Sequence, residues 1–363
     1  MRLPLTDAND QKSIDLDELK TMVDAFMARG FSYFDTAWMY HDHVSENALK
    51  TVLVDRYPRE TFTVATKMPV MFLKSAEEQE TIFREQQRKC GVDFFDYYML
   101  HSLNASYYET ARAFDSFAFM QQKKDEGAIG KTGFSYHDDA ELLDVILREH
   151  PEVDFVQLQI NYLDWENDAI QSRKCYEVAR KHNKPVIVME PVKGSTLANV
   201  PEEAENLLKA CRPDLSVASW AIRFAAGLEG VMMVLSGMSA LWQLTDNLSY
   251  MEAFKPLDER ERAVLQQAVR SINDAIAIPC TTCRYCVDGC PEHIPIPSYF
   301  ALYNAHMIDT NKLWPLHKAY YDTYTSKYGK ASECIACGQC EAHCPQHIAI
   351  AESLKAVTLA FER

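Results

Sequence analysis

Residues 62–104 read FTVATKMPVMFLKSAEEQETIFREQQRKCGVDFFDYYMLHSLN. Two short apolar runs, Phe62 to Lys67 and Phe94 to Leu100, flank an amphipathic stretch from Ala76 to Lys89 with apolar residues at three-to-four spacing. Short continuous apolar runs suit strands buried on both faces, and the intervening period suits a helix. Strand, helix and strand in that order make a βα unit with parallel strands. Both strands run into a polar residue: Lys67 closes the first, and His101 follows the second.

The same pattern continues in both directions. Further strands are expected at Phe31 to Asp35, Ile129 to Phe134, Val153 to Ile160, Pro185 to Glu190 and Val231 to Leu235, and further helices at Glu46 to Arg56, Tyr107 to Lys124, Asp139 to Glu149 and Glu166 to Lys181. That makes seven βα units. A closed (β/α)8 TIM barrel needs eight strands, because an open parallel edge presents unpaired backbone groups. The expected fold is therefore an α/β (β/α)8 barrel with a truncated first strand. Met1 to Pro4 is its stub, and the recorded start is expected to be misplaced.

The barrel pattern ends after Tyr250. Leu257 to Ile276 reads as a charged connecting helix, and the aromatic segment beyond it holds two helix candidates, Tyr299 to His306 and Leu316 to Tyr328. The expected division is a barrel over residues 1–256 and, over 257–363, the connecting helix with a small, mostly α-helical ferredoxin-like domain.

Eight of the eleven cysteines fall between 280 and 344, in two C-x-x-C-x-x-C-x-x-x-C-P runs, Cys280 to Pro291 and Cys334 to Pro345. Three cysteines at this spacing let one short loop wrap a face of a 4Fe-4S cubane. In two-cluster ferredoxins the fourth cysteine, before proline, ligates the other cluster. The expected sets are Cys280, Cys283, Cys286 and Cys344 for one cluster, and Cys334, Cys337, Cys340 and Cys290 for the other. Structural zinc uses two C-x-x-C pairs and leaves the third and fourth cysteines of each run unexplained. Disulfides are disfavoured in a cytosolic chain. His293, His343 and His347 are read as neighbours of the clusters, and Cys90, Cys175 and Cys211 as buried core residues.

The chain has 363 residues, 47% of them hydrophobic, and a formal charge of -15. It is too apolar for disorder and too acidic for a nucleic-acid footprint. No run approaches the roughly 18 apolar residues of a membrane span, and the N-terminus is too polar for a signal peptide. A soluble cytoplasmic protein is expected, without nucleic-acid or membrane partners.

Barrel active sites lie at the C-terminal ends of the strands. Asp35, Lys67 and His101 fall there, and Tyr40 follows Asp35 by five residues. An ammonium beside a phenol lowers its pKa, so Lys67 would prepare Tyr40 to donate a proton. Asp35 would hold Lys67 charged, and His101 would hydrogen-bond a substrate carbonyl oxygen. Trp38 and Trp165 are candidates either for the pocket lining or for core packing.

Together FDTAWMY, VATKMP and YYMLHSLN resemble the aldo-keto reductase family, over residues 1 to about 253. With the cysteine runs, the chain resembles the subgroup fused to a 4Fe-4S dicluster domain. The resemblance implies an NAD(P)H-dependent oxidoreductase acting on a small carbonyl or alcohol, with its nicotinamide bound outside any Rossmann fold. It implies carboxamide contacts from Ser135 and Gln157, with Tyr136 where the family usually has Asn. It implies phosphate-side contacts from Ser236, Gly237, Met238, Gln243, Asp246 and Asn247. Gly237 and Gln243 stand where NADPH-preferring members carry cations, so a 2'-phosphate would lose its strongest partners and NADP preference is not expected.

Two further functions fit the same residues. In one, the clusters are structural or redox-sensing; in the other, the chain is an electron-transfer protein whose barrel is a scaffold. A ferredoxin or other redox protein is the partner expected if the clusters relay electrons.

Overall fold

The computed structural model describes residues 2–7, 10–168, 170–274, 277–278, 280, 284, 286–287, 289–308, 316–344 and 347–363. Seven parallel strands form one sheet in chain order: β1 Tyr33–Asp35, β2 Thr63–Met68, β3 Phe95–Leu103, β4 Ile129–Tyr136, β5 Phe155–Gln159, β6 Val186–Met189 and β7 Val231–Val234. Each expected strand is present, within a few residues at either end.

The helices of the barrel unit are α1 Leu16–Ala28, α2 Ser45–Leu49, α3 Glu78–Cys90, α4 Ala105–Ala113, α5 Ser116–Asp125, α6 Ala140–Glu149, α7 Ser172–Lys181, α8 Glu202–Cys211, α9 Val217–Ala226 and α10 Leu241–Met251. The connecting helix α11, Glu259–Asp274, leads to α12 Ile296–Ile308, α13 Leu316–Thr325, α14 Gln339–Ala342 and α15 Ile350–Phe361. Among the described residues no helix is long and apolar enough to cross a membrane.

The sheet curls into a barrel lacking one strand. Among the described residues no ladder joins β1 to β7. Both edges are half-exposed along their length, whereas β5 is buried throughout. Among the described residues the N-terminal stub forms no barrel strand: Leu5 makes an isolated antiparallel bridge to Ile14, and the Thr6 and Asp15 N–H groups donate to the Ser13 and Pro4 carbonyls ahead of α1.

Local chemistry explains the element ends. Asp15 caps α1 by accepting from the backbone N–H groups of Asp17 and Glu18. Helix α3 has Glu78 and Glu80 in its first turn and Arg88 and Lys89 in its last, matching the helix dipole. It stops at Gly91, whose φ of 72° is left-handed.

Several of the expected helices are shorter or broken: the one expected over Glu46 to Arg56 is α-helical only to Leu49 and turns π-helical over Lys50–Val54, and α13 stops at Thr325. The stretch Tyr107 to Lys124 divides into α4 and α5 at Asp115, a left-handed residue with φ 51°. The helix expected from Glu166 begins only at Ser172, because Asn161 and Asn167 hold the preceding residues in side-chain-capped turns.

The core is layered. Val64, Phe95, Phe134, Val156 and Val188 face the helices. Ala65, Met99, Phe155 and Ile187 fill the barrel interior with Tyr33, Tyr97 and Met233. Gly133 is required in that interior, since a Cβ there would lie 2.5 Å from the Phe155 carbonyl oxygen.

Helix α11 is clamped onto the barrel. Leu265, Ala268 and Ile272 pack with Leu208 and Trp220. Glu261 accepts from Arg223 at 2.8 Å through each carboxylate oxygen and from Arg212 at 2.8 Å. Burial opposes the Glu261 charge, but Arg223, the Asp258 N–H and Arg212 outweigh it and hold the carboxyl down to about 2.

Glu261→Gln is expected to cost about 3 kcal/mol at neutral pH, because it leaves the buried Arg223 guanidinium without its carboxylate. A depressed folded-state pKa contributes stability that is complete above the ordinary value of 4.5 and is lost as pH falls through about 2. Thermal melts followed by far-UV circular dichroism should show a wide gap between wild type and variant at pH 7 that narrows below 4.5. A gap independent of pH contradicts the assignment.

Candidate active site and cluster loops

Four polar side chains meet at the C-terminal end of the sheet. Parallel register places Asp35 opposite Ala65 and Lys67 opposite Met99, so Asp35 and Lys67 face the barrel mouth from neighbouring strands. The fully buried Lys67 Nζ donates to Asp35 Oδ2 at 2.6 Å and to the Thr36 carbonyl at 2.7 Å. The same ammonium lies 4.8 Å from the Tyr40 ring centroid. The His101 ring stands edge-on to Tyr40 at 5.7 Å.

The electrostatics differ from the sequence expectation at one point. Burial pushes the Tyr40 phenol up, and this exceeds the lowering by Lys67, so Tyr40 keeps its proton across the neutral range. Burial acts to discharge Lys67, but Asp35 and Tyr40 outweigh it and keep the ammonium charged. His101 is driven well below its ordinary value by burial, Lys67 and His137, and is neutral.

Beneath the site a buried network fixes β2. Glu46 accepts from Thr66 Oγ1 at 2.8 Å and Gln86 Nε2 at 3.0 Å and pairs with Lys89 at 2.9 Å. Gln86 Nε2 also donates to the Lys67 carbonyl at 3.0 Å, so the lysine backbone is held from below.

Ser135 and Gln157 lie directly opposite each other on β4 and β5. Ser135 Oγ accepts from the Ser102 N–H at 2.7 Å. Among the described residues, buried Gln157 Oε1, Asp35 Oδ1 and His101 Nδ1 have no hydrogen-bond partner. An orphaned amide oxygen beside a serine at the mouth fits the carboxamide of a nicotinamide.

The stretch from Ser236 to Asn247 covers the loop after β7 and the first turns of α10. Ser236 Oγ accepts from Asn247 Nδ2 at 2.8 Å, Gln243 Oε1 accepts from the Ser239 N–H at 2.7 Å, and Asp246 accepts from Ser216 at 2.6 Å. Met238 packs with α1 and α10, and Gly237 is exposed. These six residues share one loop and helix, apart from the Asp35 group in sequence but at the same end of the sheet.

Sequence reasoning missed several groups at this end. Arg2 lies over Gly237 and donates to Ser195 Oγ at 2.9 Å and the Gly194 carbonyl at 2.8 Å, placing a cation beside the phosphate-side stretch. Asp164 and Lys193 form a buried ion pair of 2.6 Å. His137 follows β4, and Tyr320 reaches it from α13. The strand-end rule that located Lys67 and His101 reaches His137 and Asn161 when applied to β4 and β5. Trp165 packs against Tyr176 and Phe224 in the outer core, and Trp38 faces Lys89.

The second unit is built around its cysteines. Cys286 and Cys340 are buried in an apolar core with Ile294, Tyr299, Phe300, Tyr321 and Leu354, and Cys280, Cys290, Cys334 and Cys344 pack against it. Cys283 and Pro345 lie outside the described residues. Cys290 of the first run joins Cys334, Cys337 and Cys340 of the second around a partly open hollow also lined by Ile294, Ile296 and Leu354. Left-handed backbone at Ala336, φ 52°, and Gly338, φ 75°, bends the loop around it. Four thiols around an apolar hollow suit a cubane cluster. His293, His343 and His347 are exposed.

A family model described as the aldo/keto reductase family matches residues 5–270, and one described as a 4Fe-4S dicluster domain matches residues 279–349. Among curated proteins no match to this chain was found. Among solved structures, the chain is similar to aldo-keto reductase AKR11C1 from Bacillus halodurans in its holo form, with 22% identity, a TM-score of 0.55, and coverage of 70% of this chain and 88% of that one. It is also similar to an aldo-keto reductase from Klebsiella pneumoniae in complex with NADPH, with 18% identity, a TM-score of 0.57 and coverage of 73% and 89%. At these identities the likeness concerns the fold. The match over residues 5–270 covers most of the sequence, and the chain belongs to the aldo/keto reductase family, in the subgroup that carries a C-terminal 4Fe-4S dicluster domain.

Proposed function

We propose that this chain reduces a small carbonyl compound, or oxidises the corresponding alcohol, at the mouth of its barrel. The observation that carries the reading is the fully buried Lys67 ammonium held between the Asp35 carboxylate and the face of Tyr40, with His101 beside them. A bound nicotinamide supplies the hydride. Ser135 and Gln157 would hold its carboxamide, while Ser236, Gly237, Met238, Gln243, Asp246 and Asn247 would line the remainder.

The protein's own groups then manage one proton. Tyr40 holds it at neutral pH because burial keeps the phenol up. When the carbonyl oxygen gains charge it becomes far more basic than a phenolate and takes the Tyr40 proton. Lys67 stabilises the phenolate that remains, and Asp35 keeps Lys67 charged and aimed. His101, being neutral, donates a hydrogen bond to the same oxygen without competing for the proton.

The second unit would hold two 4Fe-4S clusters, one on Cys280, Cys283, Cys286 and Cys344, the other on Cys334, Cys337, Cys340 and Cys290. The hollow shared by Cys290 with the second run supports the crossed ligand set. Bound clusters supply one-electron steps. Cys337 and Ile335 are exposed on the second loop, within reach of a ferredoxin-like partner. The packing of the cysteines into the core that carries α13 favours a structural role as a second reading.

Tyr40→Phe is expected to lower kcat for aldehyde or ketone reduction by about three orders of magnitude while cofactor binding, read by fluorescence, is kept. Undiminished turnover would exclude Tyr40 as the acid. Because its phenol is raised, reduction by the wild type should stay level through neutral and mildly alkaline pH and decline only above the ordinary tyrosine range. A decline that begins in the neutral range contradicts this.

Anaerobically purified protein should contain about eight iron atoms per chain, and Cys290→Ser should lose about four of them with loss of the cluster held by the second run. Retention of that cluster, with loss of the one on the first run, would reverse the crossed assignment.

A further inference from the structure

Helix α13 of the cluster-bearing unit descends on the barrel mouth. Its neighbours bind the loops after β3 to β5: Asn104 donates to Thr323 at 3.4 Å, Lys327 pairs with Asp138 at 3.0 Å and with Asp139 at 3.1 Å, and Ile170 enters the core of the second unit. At the centre of this contact is Tyr320, whose ring is packed in the second unit's core. Its hydroxyl lies 3.4 Å from His137 Nδ1 and 3.5 Å from Gln159 Oε1.

Those two residues continue the inward-facing positions of the barrel. Side chains alternate across a strand, so His137 and Gln159 lie one step outward from Ser135 and Gln157, toward the mouth. The amide of Gln159 is oriented: its Nε2 donates to Asp164 Oδ2 at 3.0 Å. That carboxylate is fixed in turn by Asn161 at 2.8 Å and by Lys193 at 2.6 Å, all of them buried. Gln159 Oε1 therefore faces Tyr320 as an acceptor. Burial holds His137 neutral, down to about 4, so its ring carries one donor and one acceptor nitrogen.

The Tyr320 hydroxyl thus meets both partners, His137 and Gln159, at the long limit of hydrogen bonding. The group is polar and loosely satisfied, and its His137 is near enough to His101 to oppose a charge on that ring. We propose that Tyr320 of the cluster-bearing unit walls the substrate site and, with His137, binds a substrate oxygen other than the reacting carbonyl. The substrate class is then a hydroxylated aldehyde or ketone. The inference rests on the carbonyl reductase reading given above and extends it to a residue outside the barrel.

The test uses a matched pair, lactaldehyde and 2-methylpropanal, which differ by a hydroxyl in place of a methyl group. The full cluster-loaded chain should prefer lactaldehyde by about tenfold or more in kcat/KM, as expected when a site built to bond an oxygen meets an analogue lacking it. Tyr320→Phe should abolish that preference by raising KM for lactaldehyde about tenfold while leaving 2-methylpropanal within about twofold. An equal loss on both substrates, or a wild type without preference, overturns the oxygen contact.

A second measurement follows acylation of His137 by diethyl pyrocarbonate, read by mass spectrometry and independent of turnover. Tyr320→Ala should speed it several-fold, and an unchanged rate overturns the wall. If the wild type reduces neither aldehyde, the reductase reading fails and the oxygen contact fails with it, while the acylation rate still decides whether Tyr320 covers the mouth.

Discussion

The buried ion pair between Lys67 and Asp35 constrains the rest of the molecule. An ammonium with no exposed surface costs several kcal/mol in lost hydration, and it is tolerated only where a carboxylate and further acceptors stand in place of water. Here the acceptors are Asp35 Oδ2 and the Thr36 carbonyl, both on the neighbouring strand or just beyond its end. The ladder register of β1 and β2 is therefore also the geometry of the site. A slip of one residue would turn Lys67 outward among the apolar helix contacts. Tyr40 and His101 are placed against that fixed ammonium, and Tyr40 keeps its proton beside it because desolvation of the phenol outweighs the pull of Lys67.

The second unit depends on the first in a different way. Its core is small and mixes aliphatic and aromatic side chains with the cysteines. Helix α13 joins this core to the barrel: Tyr320 contributes its ring to one and its hydroxyl to the other. Order among the cysteine loops and order at the barrel mouth are thereby linked through one side chain, whether or not electrons cross between the units. The buried Asp164–Lys193 pair performs for Gln159 what Asp35–Lys67 performs for Tyr40, fixing a polar group in a place that excludes water.

Much of this was legible beforehand, for physical reasons. Buried parallel strands read as largely apolar runs, and a polar residue at or just past the end of such a run stands out, which is how Asp35, Lys67 and His101 are found. The cysteine spacing is legible because a cluster requires it. Helix breaks were not, because apolar periodicity runs on through Asp115 while the backbone there turns left-handed. The antiparallel bridge at Leu5 also escaped, since a short polar segment carries little pattern, whereas α1 went unread despite its Asp15 cap and the apolar spacing of Leu19, Met22 and Val23. The phenol of Tyr40 was expected to be lowered by Lys67, and burial reverses that, a quantity no spacing encodes. Arg2 over Gly237 and Tyr320 over His137 join positions far apart in the chain, so only the folded structure brings them into view.

The central claim is that two electrons and a proton reach the substrate together at the barrel mouth. Its most direct test is isotopic: carbonyl reduction with a nicotinamide cofactor deuterated at C4, followed by mass spectrometry of the alcohol. The account predicts deuterium on the former carbonyl carbon. Cofactor oxidation that leaves the product without deuterium, its hydrogen drawn from solvent, would show that electrons travel singly through the clusters and would contradict it.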